Sequence, residues 1–264
     1  MDSPEKYALV TGASSGIGRE IALILGGLGY PLVAVSNQAD RLGTLKKEIE
    51  GKGGPEVRTL DLDLAHEHSA QEVYDFCREN GIRVEVLVNS AGILVYGETV
   101  RAGTERVRSL LQLHMTTPVL LCRLFAEEMI RRGTGFILNV SSIASVMPYP
   151  TISLYGPTKT FLRSFTRALR TELKPLGIRI SCLMPGAVDT GLYEGTGFGI
   201  SKGRRLGLVK GPETVARAGV RALFRDRAEC VPGVLNKLVL RLVPFVPRFV
   251  ISLIYSKTRT RGNP

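Results

Sequence analysis

The chain has 264 residues, of which 44% are hydrophobic and 22% are charged, and it contains no low-complexity tract. This length and composition suit one soluble globular α/β domain. The formal net charge is +11, but residues 1–196 carry 21 basic and 21 acidic residues, so the excess lies in residues 197–264, which carry 14 basic and 3 acidic residues. Nucleic acid is not a predicted partner, because no recognition motif accompanies this charge.

Four cysteines are scattered along the chain without CxxC or Cys/His spacing: Cys77, Cys122, Cys182 and Cys230. This arrangement predicts small buried apolar residues in a reducing compartment, with neither disulfides nor metal ligands. The start of the chain is polar and shows no signal-peptide pattern. The predicted location is therefore the cytoplasm, or a membrane surface that faces it.

Short apolar runs alternate with helical patterns along the chain. In the first half, strands are predicted at residues 7–11, 31–36, 57–61 and 84–89, with helices at 19–29, 40–51 and 69–80. The second half continues with a helix at 104–131, a strand at 135–141, a helix at 153–176 and a strand at 178–184. This order predicts right-handed βαβ crossovers and one parallel sheet with helices on both faces.

Three glycines, Gly12, Gly16 and Gly18, follow the first predicted strand in the run TGASSGIG. Small residues at a strand–loop–helix junction let the backbone approach a pyrophosphate, and the helix N-terminus adds N–H groups and partial positive charge. The position at the first βα junction favours a phosphate-binding loop over a structural turn.

A tyrosine and a lysine are spaced for one face of a predicted helix, in Tyr155-Gly-Pro-Thr-Lys159. Residues at i and i+4 lie side by side, so the phenol and the ammonium are expected in the same cleft. A tyrosine with its ordinary pKa of about 10 is a poor base at neutral pH, and a nearby cation favours the phenolate. Pro157 is compatible with the helix if Ser153 is the N-cap, because the proline then lies in the first turn.

Ser142 lies 13 residues before Tyr155, at the end of the apolar run GFILNVS. Together with the glycine loop and the Tyr-x-x-x-Lys pair, it resembles the short-chain dehydrogenase/reductase superfamily over roughly residues 5–192. The resemblance implies one Rossmann-type, doubly wound α/β domain with about seven parallel strands. It also implies that Ser142 orients a substrate carbonyl, Tyr155 transfers a proton, and Lys159 holds a ribose and lowers the pKa of the tyrosine.

The resemblance further implies a nicotinamide cofactor site. The stretches 89–92 (NSAG) and 185–190 (PGAVDT) follow predicted strands, and in relatives the second contacts the nicotinamide carboxamide. Asp63 resembles the family aspartate that meets the adenine ring, with Asp61 as the competing choice. The implied cofactor-binding residues are Gly12, Ser14, Ser15, Gly16, Ile17, Gly18, Asn37, Asp63, Asn89, Ala91, Gly92, Tyr155, Lys159, Pro185, Gly186, Val188 and Thr190.

The end of the second predicted strand bears on the choice between NAD and NADP. A carboxylate there would bind the ribose diol and repel a 2′-phosphate, but Ser36 is uncharged. Asn37 stands where NADP-using relatives often have an arginine. The phosphate contact is then left to Arg19, Arg41 or Ser15, and NADP(H) is the predicted cofactor.

One position departs from the family pattern. Relatives usually carry an asparagine in the long central helix, which kinks it and holds a water linked to the lysine, and this sequence places His114 there. In one alternative, His114 is a fourth catalytic residue that holds the water or alters the proton relay, with a pH dependence near its own pKa. In the other, it is a tolerated substitution of little consequence.

Residues 231–255 combine two apolar segments with Lys237, Arg241 and Arg248, around the Pro-Phe-Val-Pro run at 244–247. The charges and prolines argue against a transmembrane helix. Three alternatives are left open. The segment packs over the substrate cleft or a neighbouring subunit, contacts an anionic membrane surface, or attracts an acidic carrier such as coenzyme A or an acyl carrier protein.

The predicted organisation is a catalytic domain at residues 1–230, with a glycine-rich substrate lid at 192–211, and a basic apolar C-terminal extension at 231–264. The predicted function is NADP(H)-dependent interconversion of a ketone or 3-oxoacyl group and a secondary alcohol, on a lipid-like substrate, in a homodimer or homotetramer. Two alternatives stay open: an NAD-dependent secondary alcohol dehydrogenase of hydroxysteroid type, and a cofactor-sensing protein with little turnover.

Overall fold

A seven-stranded parallel sheet forms the centre of the molecule. The computed structural model describes residues 6–146, 149–193 and 209–259. Across the sheet the strand order is β3-β2-β1-β4-β5-β6-β7, and the predicted doubly wound sheet of about seven strands is confirmed. The strands are β1 (Lys6–Thr11), β2 (Leu32–Ser36), β3 (Val57–Asp61), β4 (Arg83–Asn89), β5 (Gly135–Val140), β6 (Ile178–Leu183) and β7 (Glu229–Cys230).

Helices connect the strands and cover both faces of the sheet. The predicted helices before residue 104 are found with bounds that differ by a few residues. The helices are α1 (Gly16–Gly27), α2 (Ala39–Glu50), α3 (Ser69–Glu79), α4 (Thr104–Leu111), α5 (Thr117–Arg132), α6 (Tyr155–Leu173), α7 (Pro212–Phe224), α8 (Val234–Leu242) and α9 (Arg248–Arg259).

Two apolar layers hold the helices on the sheet. Helices α1, α2 and α7 pack on one face, with Leu25 in that layer, and α3, α5 and α6 pack on the other, with Phe125. Along β1, Ala8 and Val10 belong to the first layer and Leu9 to the second, as the two-residue period of a strand requires. Both faces of the sheet are therefore covered, which is typical of parallel sheets.

The cysteines are placed largely as the sequence predicts. Cys77, Cys122 and Cys182 are buried, whereas Cys230 is half-buried in β7. Burial raises the pKa of each of the three buried thiols to about 12. These thiols are consequently protonated at neutral pH and pack as small apolar groups.

The long helix predicted at 104–131 is divided in the structure. Helices α4 and α5 are joined by a wider, π-helical turn at Gln112–Thr116. A π-helical turn, a common cause of helix kinks, thus lies where the family resemblance implies a kink, with His114 at its middle. Such turns often occur at functional sites.

The predicted N-cap of the helix at 153–176 is wrong. Helix α6 begins at Tyr155, and Leu154 occupies the N-cap position without a side-chain hydrogen bond. The Ser153 hydroxyl lies instead 2.6 Å from the Thr99 hydroxyl, across the loop that follows β4. Pro157 still falls in the first turn, where its missing N–H removes no helical hydrogen bond.

The C-terminal segment follows β7 at the edge of the sheet. Helices α8 and α9 are separated by a single 3₁₀ turn at Val243–Phe245, which contains Pro244. No helix within the described ranges is long and apolar enough to cross a membrane.

The order of the strands determines where a crevice opens. From β1 the chain builds outward through β2 and β3, and then returns to the other side of β1 with β4. The loops after β1 and β4 therefore diverge at the carboxyl edge of the sheet. In doubly wound folds, ligands bind in the crevice at this switch point.

Candidate active site

A cavity of about 610 Å³ opens at this crevice. Its wall comes from the segments that follow six different strands, and it contains all the predicted site residues except Asn89 and His114. The predicted residues that line the cavity are Gly12, Ser14, Ser15, Gly16, Ile17, Gly18, Asn37, Asp63, Ala91, Gly92, Ser142, Tyr155, Lys159, Pro185, Gly186, Val188 and Thr190.

The floor of the cavity is made of backbone. Gly12 has a φ of +67°, and a Cβ on it would lie 2.8 Å from the Cα of Ala91. A Cβ on Gly18 would collide with the Gly12 carbonyl oxygen. Helix α1 begins at Gly16 without a side-chain cap, so its first N–H groups are left to bind an anion. This cradle fits the pyrophosphate of a dinucleotide.

Thr11 joins the glycine loop to the segment after β4. Its Oγ1 accepts hydrogen bonds from the N–H groups of Ser90 and Ala91, at 3.0 and 3.1 Å, and donates to the Val88 carbonyl oxygen at 3.3 Å. The residue was not among the predicted site residues, although it is the first residue of the TGASSGIG run. It fixes the two loops that border the switch point.

Asn89 lies behind the cavity wall. Its amide donates to Asn139 Oδ1 at 2.8 Å and to Cys122 Sγ at 3.3 Å, and Asn139 in turn donates to Thr166 Oγ1 at 2.9 Å. This buried chain of hydrogen bonds connects β4, β5 and α6. The structure thus places Asn89, a predicted cofactor-binding residue, in contacts that steady the sheet behind the cavity.

Lys159 and Tyr155 lie one turn apart on α6, where both line the cavity. Lys159 is buried, and this burial lowers the pKa of its ammonium group to about 8. Its Nζ donates to the Val140 carbonyl oxygen at 3.1 Å and lies 5.7 Å from the centre of the half-buried Tyr155 ring. A cation is therefore held beside the phenol, as the i, i+4 spacing predicts.

Ser142 faces the same cavity from the end of β5. Its side chain is buried, and its Oγ accepts the N–H of Ala144 at 3.1 Å. The neighbouring Ser141 hydroxyl donates to the Lys159 carbonyl oxygen at 2.7 Å, which ties the end of β5 to α6. Ser142, Tyr155 and Lys159 thus border one space.

His114 is buried on the π-helical turn, where both of its ring nitrogens are hydrogen-bonded. Nε2 accepts the N–H of Ile93 at 3.0 Å, and Nδ1 lies 3.0 Å from Thr158 Oγ1. Since Nε2 accepts, Nδ1 carries the ring proton and donates it to Thr158, whose hydroxyl donates to the Tyr155 carbonyl oxygen at 2.8 Å. The imidazole therefore connects the loop after β4 to the first turn of α6.

This arrangement argues against the first alternative for His114. Neither ring nitrogen is left to hold a water. Burial, with the positive charge of Lys159, lowers the pKa of the imidazole well below its usual 6.5. The ring is then neutral at neutral pH and cannot add a pH dependence near its ordinary pKa. The contacts of His114 are those of a positioning residue, and its hydrogen-bond partner is Thr158, which was not predicted although it lies inside Tyr-x-x-x-Lys.

The loop at 185–190 closes the cavity against α1. A Cβ on Gly16 would lie 2.9 Å from Thr190 Cγ2, so the two segments are in close contact. Asn236 of α8 lies against the other side of this loop, because a Cβ on Gly186 would be 2.6 Å from its Oδ1 and Nδ2. Asn236 was not predicted as a site residue, since nothing local in the sequence links it to a loop 50 residues earlier.

The rim at the end of β2 carries the residues considered for cofactor choice. Ser36 donates to Ser14 Oγ at 2.8 Å, and Asn37 and Arg41 line the cavity. Arg19 does not line it, because its guanidinium is paired with Glu48 of α2. Arg19 is thereby removed from the candidates for a 2′-phosphate, and Arg41 and Ser15 are left.

The structure also separates the two aspartates that were considered for the contact with the adenine ring. Asp63 lines the cavity, and its Oδ1 accepts the N–H of Ala65 at 2.9 Å. Asp61 is exposed at the end of β3 and is not part of the cavity wall. The geometry therefore favours Asp63.

The predicted lid at 192–211 lies mostly outside the described residues. Leu192 lines the cavity, and Lys210, on the far side of the lid, pairs with Val188 through a parallel β-bridge. The two ends of the segment are thus both anchored beside the loop at 185–190.

The fold and this cavity define a dinucleotide-binding oxidoreductase. A family model described as short chain dehydrogenase matches residues 6–197. The chain therefore belongs to the short-chain dehydrogenase family, whose members use NAD(P) and act on small-molecule substrates.

Relatives and a solved structure agree with this assignment. The 17-beta-hydroxysteroid dehydrogenase type 3 of Mus musculus is 31% identical over 70% of this chain and 61% of its own length. A very-long-chain 3-oxoacyl-CoA reductase of Phaeosphaeria nodorum is 29% identical over 71% of this chain and 56% of its own. The chain thus spans less than two thirds of these relatives. A short-chain dehydrogenase from Sphingobium yanoikuyae, in complex with NADPH, has a TM-score of 0.80, 29% identity and coverage of 87% and 88%.

Proposed function

We propose that the chain is an NADP(H)-dependent carbonyl reductase or alcohol dehydrogenase that interconverts a ketone or 3-oxoacyl group and a secondary alcohol. One observation carries the proposal: a buried ammonium, Lys159, is held beside the phenol of Tyr155 in a cavity that Ser142 also borders. A cation beside a phenol, with a hydroxyl facing the same space, is suited to proton transfer at a carbonyl oxygen.

Each side chain has a distinct part in this reaction. The nicotinamide, when bound, supplies or accepts the hydride. Ser142 holds the carbonyl oxygen by a hydrogen bond, and Tyr155 gives its phenolic proton to that oxygen during reduction or takes one from the alcohol during oxidation. Lys159 holds the ribose, and its charge stabilises the phenolate that the tyrosine leaves behind.

NADP(H) is the proposed cofactor because the rim at β2 lacks a carboxylate and has a cation. Ser36 and Asn37 are neutral, and Arg41 lines the cavity with no ion pair to the described residues. The NADPH in the structure of the Sphingobium yanoikuyae protein supports this choice. We expect Arg41→Ala to weaken NADPH binding by about tenfold or more, because a hydrogen bond to a charged group is lost, and to leave NADH binding unchanged. Lys47→Ala, at another exposed cation of α2, is the matched control.

The proposed substrate is apolar and lipid-like, which would place the enzyme in lipid metabolism. The activities for which the two relatives are named, toward hydroxysteroids and very-long-chain 3-oxoacyl-CoA, support this class. We also propose a catalytic domain at 1–230 with a lid at 192–211, an extension at 231–264, and a homodimer or homotetramer. A cytoplasmic location suits the three buried thiols.

The experiment that tests the proposal measures NADPH oxidation with a panel of ketones that includes a steroid ketone and a 3-oxoacyl thioester. We expect Tyr155→Phe to lower kcat/KM by about 10²–10⁴-fold while NADPH binding is retained, because only the transferable proton is removed. Tyr30→Phe, which keeps its ring contact with Phe224, should match the wild type.

Two outcomes contradict the proposal in different ways. Tight NADPH binding with no turnover of any ketone would support a cofactor-sensing protein. Faster turnover with NAD and a hydroxysteroid than with NADPH and a ketone would support the NAD-dependent alcohol dehydrogenase.

A further inference from the structure

Helix α8 has its polar and apolar faces reversed with respect to an ordinary surface helix. The buried residue that α8 contributes is Asn236, which is 2% exposed beneath Gly186. Val234 is 83% exposed on the opposite side, together with Leu238 and Leu242. A water-facing helix normally places its apolar stripe toward the core.

Exposed apolar side chains also follow α8 along the chain. Phe245 in the intervening turn is 83% exposed, and Phe249 and Leu253 on α9 are exposed one turn apart. Half of the large apolar side chains that are exposed in the described chain fall within residues 234–253. We call this the C-terminal apolar surface, and it consists of Val234, Leu235, Leu238, Leu242, Phe245, Phe249 and Leu253.

Cations accompany the C-terminal apolar surface. Lys237 and Arg241 are exposed on α8, at positions that border its outward leucines. The sequence from 231 to 264 contains six basic residues and no acidic residue. A stretch that joins exposed leucine and phenylalanine to unopposed positive charge matches the interface of an anionic bilayer, where acyl chains meet negative headgroups.

We infer that the C-terminal apolar surface docks the protein on an anionic lipid bilayer, with α8 and α9 lying in the plane of the interface. Neither helix is long enough to span, and the turn with Pro244 separates them. Interfacial helices insert their apolar side chains at the boundary of headgroups and acyl chains, while lysine and arginine stay at the headgroups.

Charge argues against a second copy of the chain as the occupant. A two-fold interface brings the same patch of each subunit together. The cations of this segment would then face one another, with no carboxylate at 231–264 to neutralise them. Anionic headgroups supply the opposite charge that a second copy lacks.

Helix α9 is connected to the loop that follows β4, whose first residues line the candidate active site. Tyr255 of α9 donates to Glu98 Oε1 at 2.8 Å, in the loop that follows β4. The neighbouring Thr99 contacts Ser153, two residues before Tyr155. Docking would therefore hold the membrane beside the loops that border the cleft.

Co-sedimentation with vesicles tests the inference. We expect the full chain to sediment with vesicles of phosphatidylglycerol and phosphatidylcholine at low salt, and to stay in the supernatant with pure phosphatidylcholine. The double substitution Leu238→Glu and Phe245→Glu should weaken binding to the anionic vesicles by at least about tenfold, since apolar contact is lost and negative charge is added. Lys237→Glu with Arg241→Glu should also weaken binding, by charge alone and by about fivefold for each cation removed.

Matched controls separate this surface from general stickiness. Leu28→Glu changes an exposed leucine of the catalytic domain, and Lys47→Glu reverses an exposed charge there. Both should bind the vesicles like the wild type. The inference is overturned if the wild type fails to sediment at low salt, or if the controls lose binding as strongly as the α8 variants.

Two further readouts keep the alternatives apart. Light scattering after size exclusion shows whether Leu238→Glu dissociates an oligomer. If this variant dissociates and the wild type does not bind vesicles, the surface is assigned to a second copy of the chain. NADPH oxidation with a soluble ketone, measured without lipid, should be unchanged in the variants at residues 237, 238, 241 and 245. The docking proposal can thus fail while the proposed reductase activity holds, or the reverse.

Discussion

The α/β domain around the sheet and the C-terminal segment place their apolar side chains in opposite ways. In the domain, Leu121 and Phe125 of α5 lie inside while Glu127 and Arg131 pair at the surface. In α8, an asparagine lies inside and three of the four leucines are exposed. The difference shows that the same amphipathic pattern can direct apolar side chains into the core or toward the surface, and only the packing of the helix distinguishes the two cases.

The largest difference between the two regions is expected in the free energy of unfolding when a leucine of each is truncated. Leu121→Ala removes a buried side chain of α5, and we expect it to lower the free energy of unfolding by about 2–5 kcal/mol, because a cavity is left. Leu238→Ala, at an exposed position of α8, should change it by less than about 0.5 kcal/mol. Urea unfolding without lipid measures both values. Similar losses at the two positions would mean that another part of the protein covers α8 in solution.

We expect the pH dependence of the reduction reaction to reflect the protonation of Lys159. Burial lowers the pKa of its ammonium to about 8, so the cation is present below this pH and is lost as the pH rises through it. We expect kcat/KM for NADPH, which reflects the free enzyme, to fall by up to tenfold for each pH unit above about 8. A profile that stays level from pH 7 to 10 would contradict this. Vesicle binding, which does not depend on Lys159, should not follow the same profile.

The smallest effect is expected for His114→Asn. An asparagine oxygen can accept the N–H of Ile93, which is the bond that the imidazole makes now. We expect most of the activity to be kept, and the pH–rate profile between pH 6 and 8 to superimpose on that of the wild type, because the imidazole is already neutral there. A shifted profile would restore His114 to the proton relay. His114→Ala, which leaves Ile93 unpaired, is the comparison variant.

The sequence alone predicts the sheet and most of the cavity wall. Strands such as Val57–Asp61 and the glycine loop at 12–18 are encoded locally, by apolar runs and by glycines at a strand–helix junction. The spacing of Tyr155 and Lys159 also suffices to place both on one face of a helix. Local patterns are enough wherever the contacts lie within a few residues.

Features that depend on distant partners could not be predicted in this way. The pairing of Arg19 with Glu48 needs the packing of α1 on α2. The double hydrogen bonding of His114 needs Ile93 and Thr158 from two other segments. The exposure of the α8 leucines could not be predicted either, because leucines at helical spacing ordinarily indicate a buried stripe.

The backbone floor of the cavity has a consequence for how the protein would distinguish NADP from NAD. The part shared by NAD and NADP would rest on Gly12 and Gly18, where no side chain fits. The part that differs would meet the rim at Asn37 and Arg41, on a separate segment. Affinity for the dinucleotide and discrimination between NAD and NADP would thus depend on different segments of the chain. A change of one or two rim residues could redirect cofactor use and leave the floor as it is.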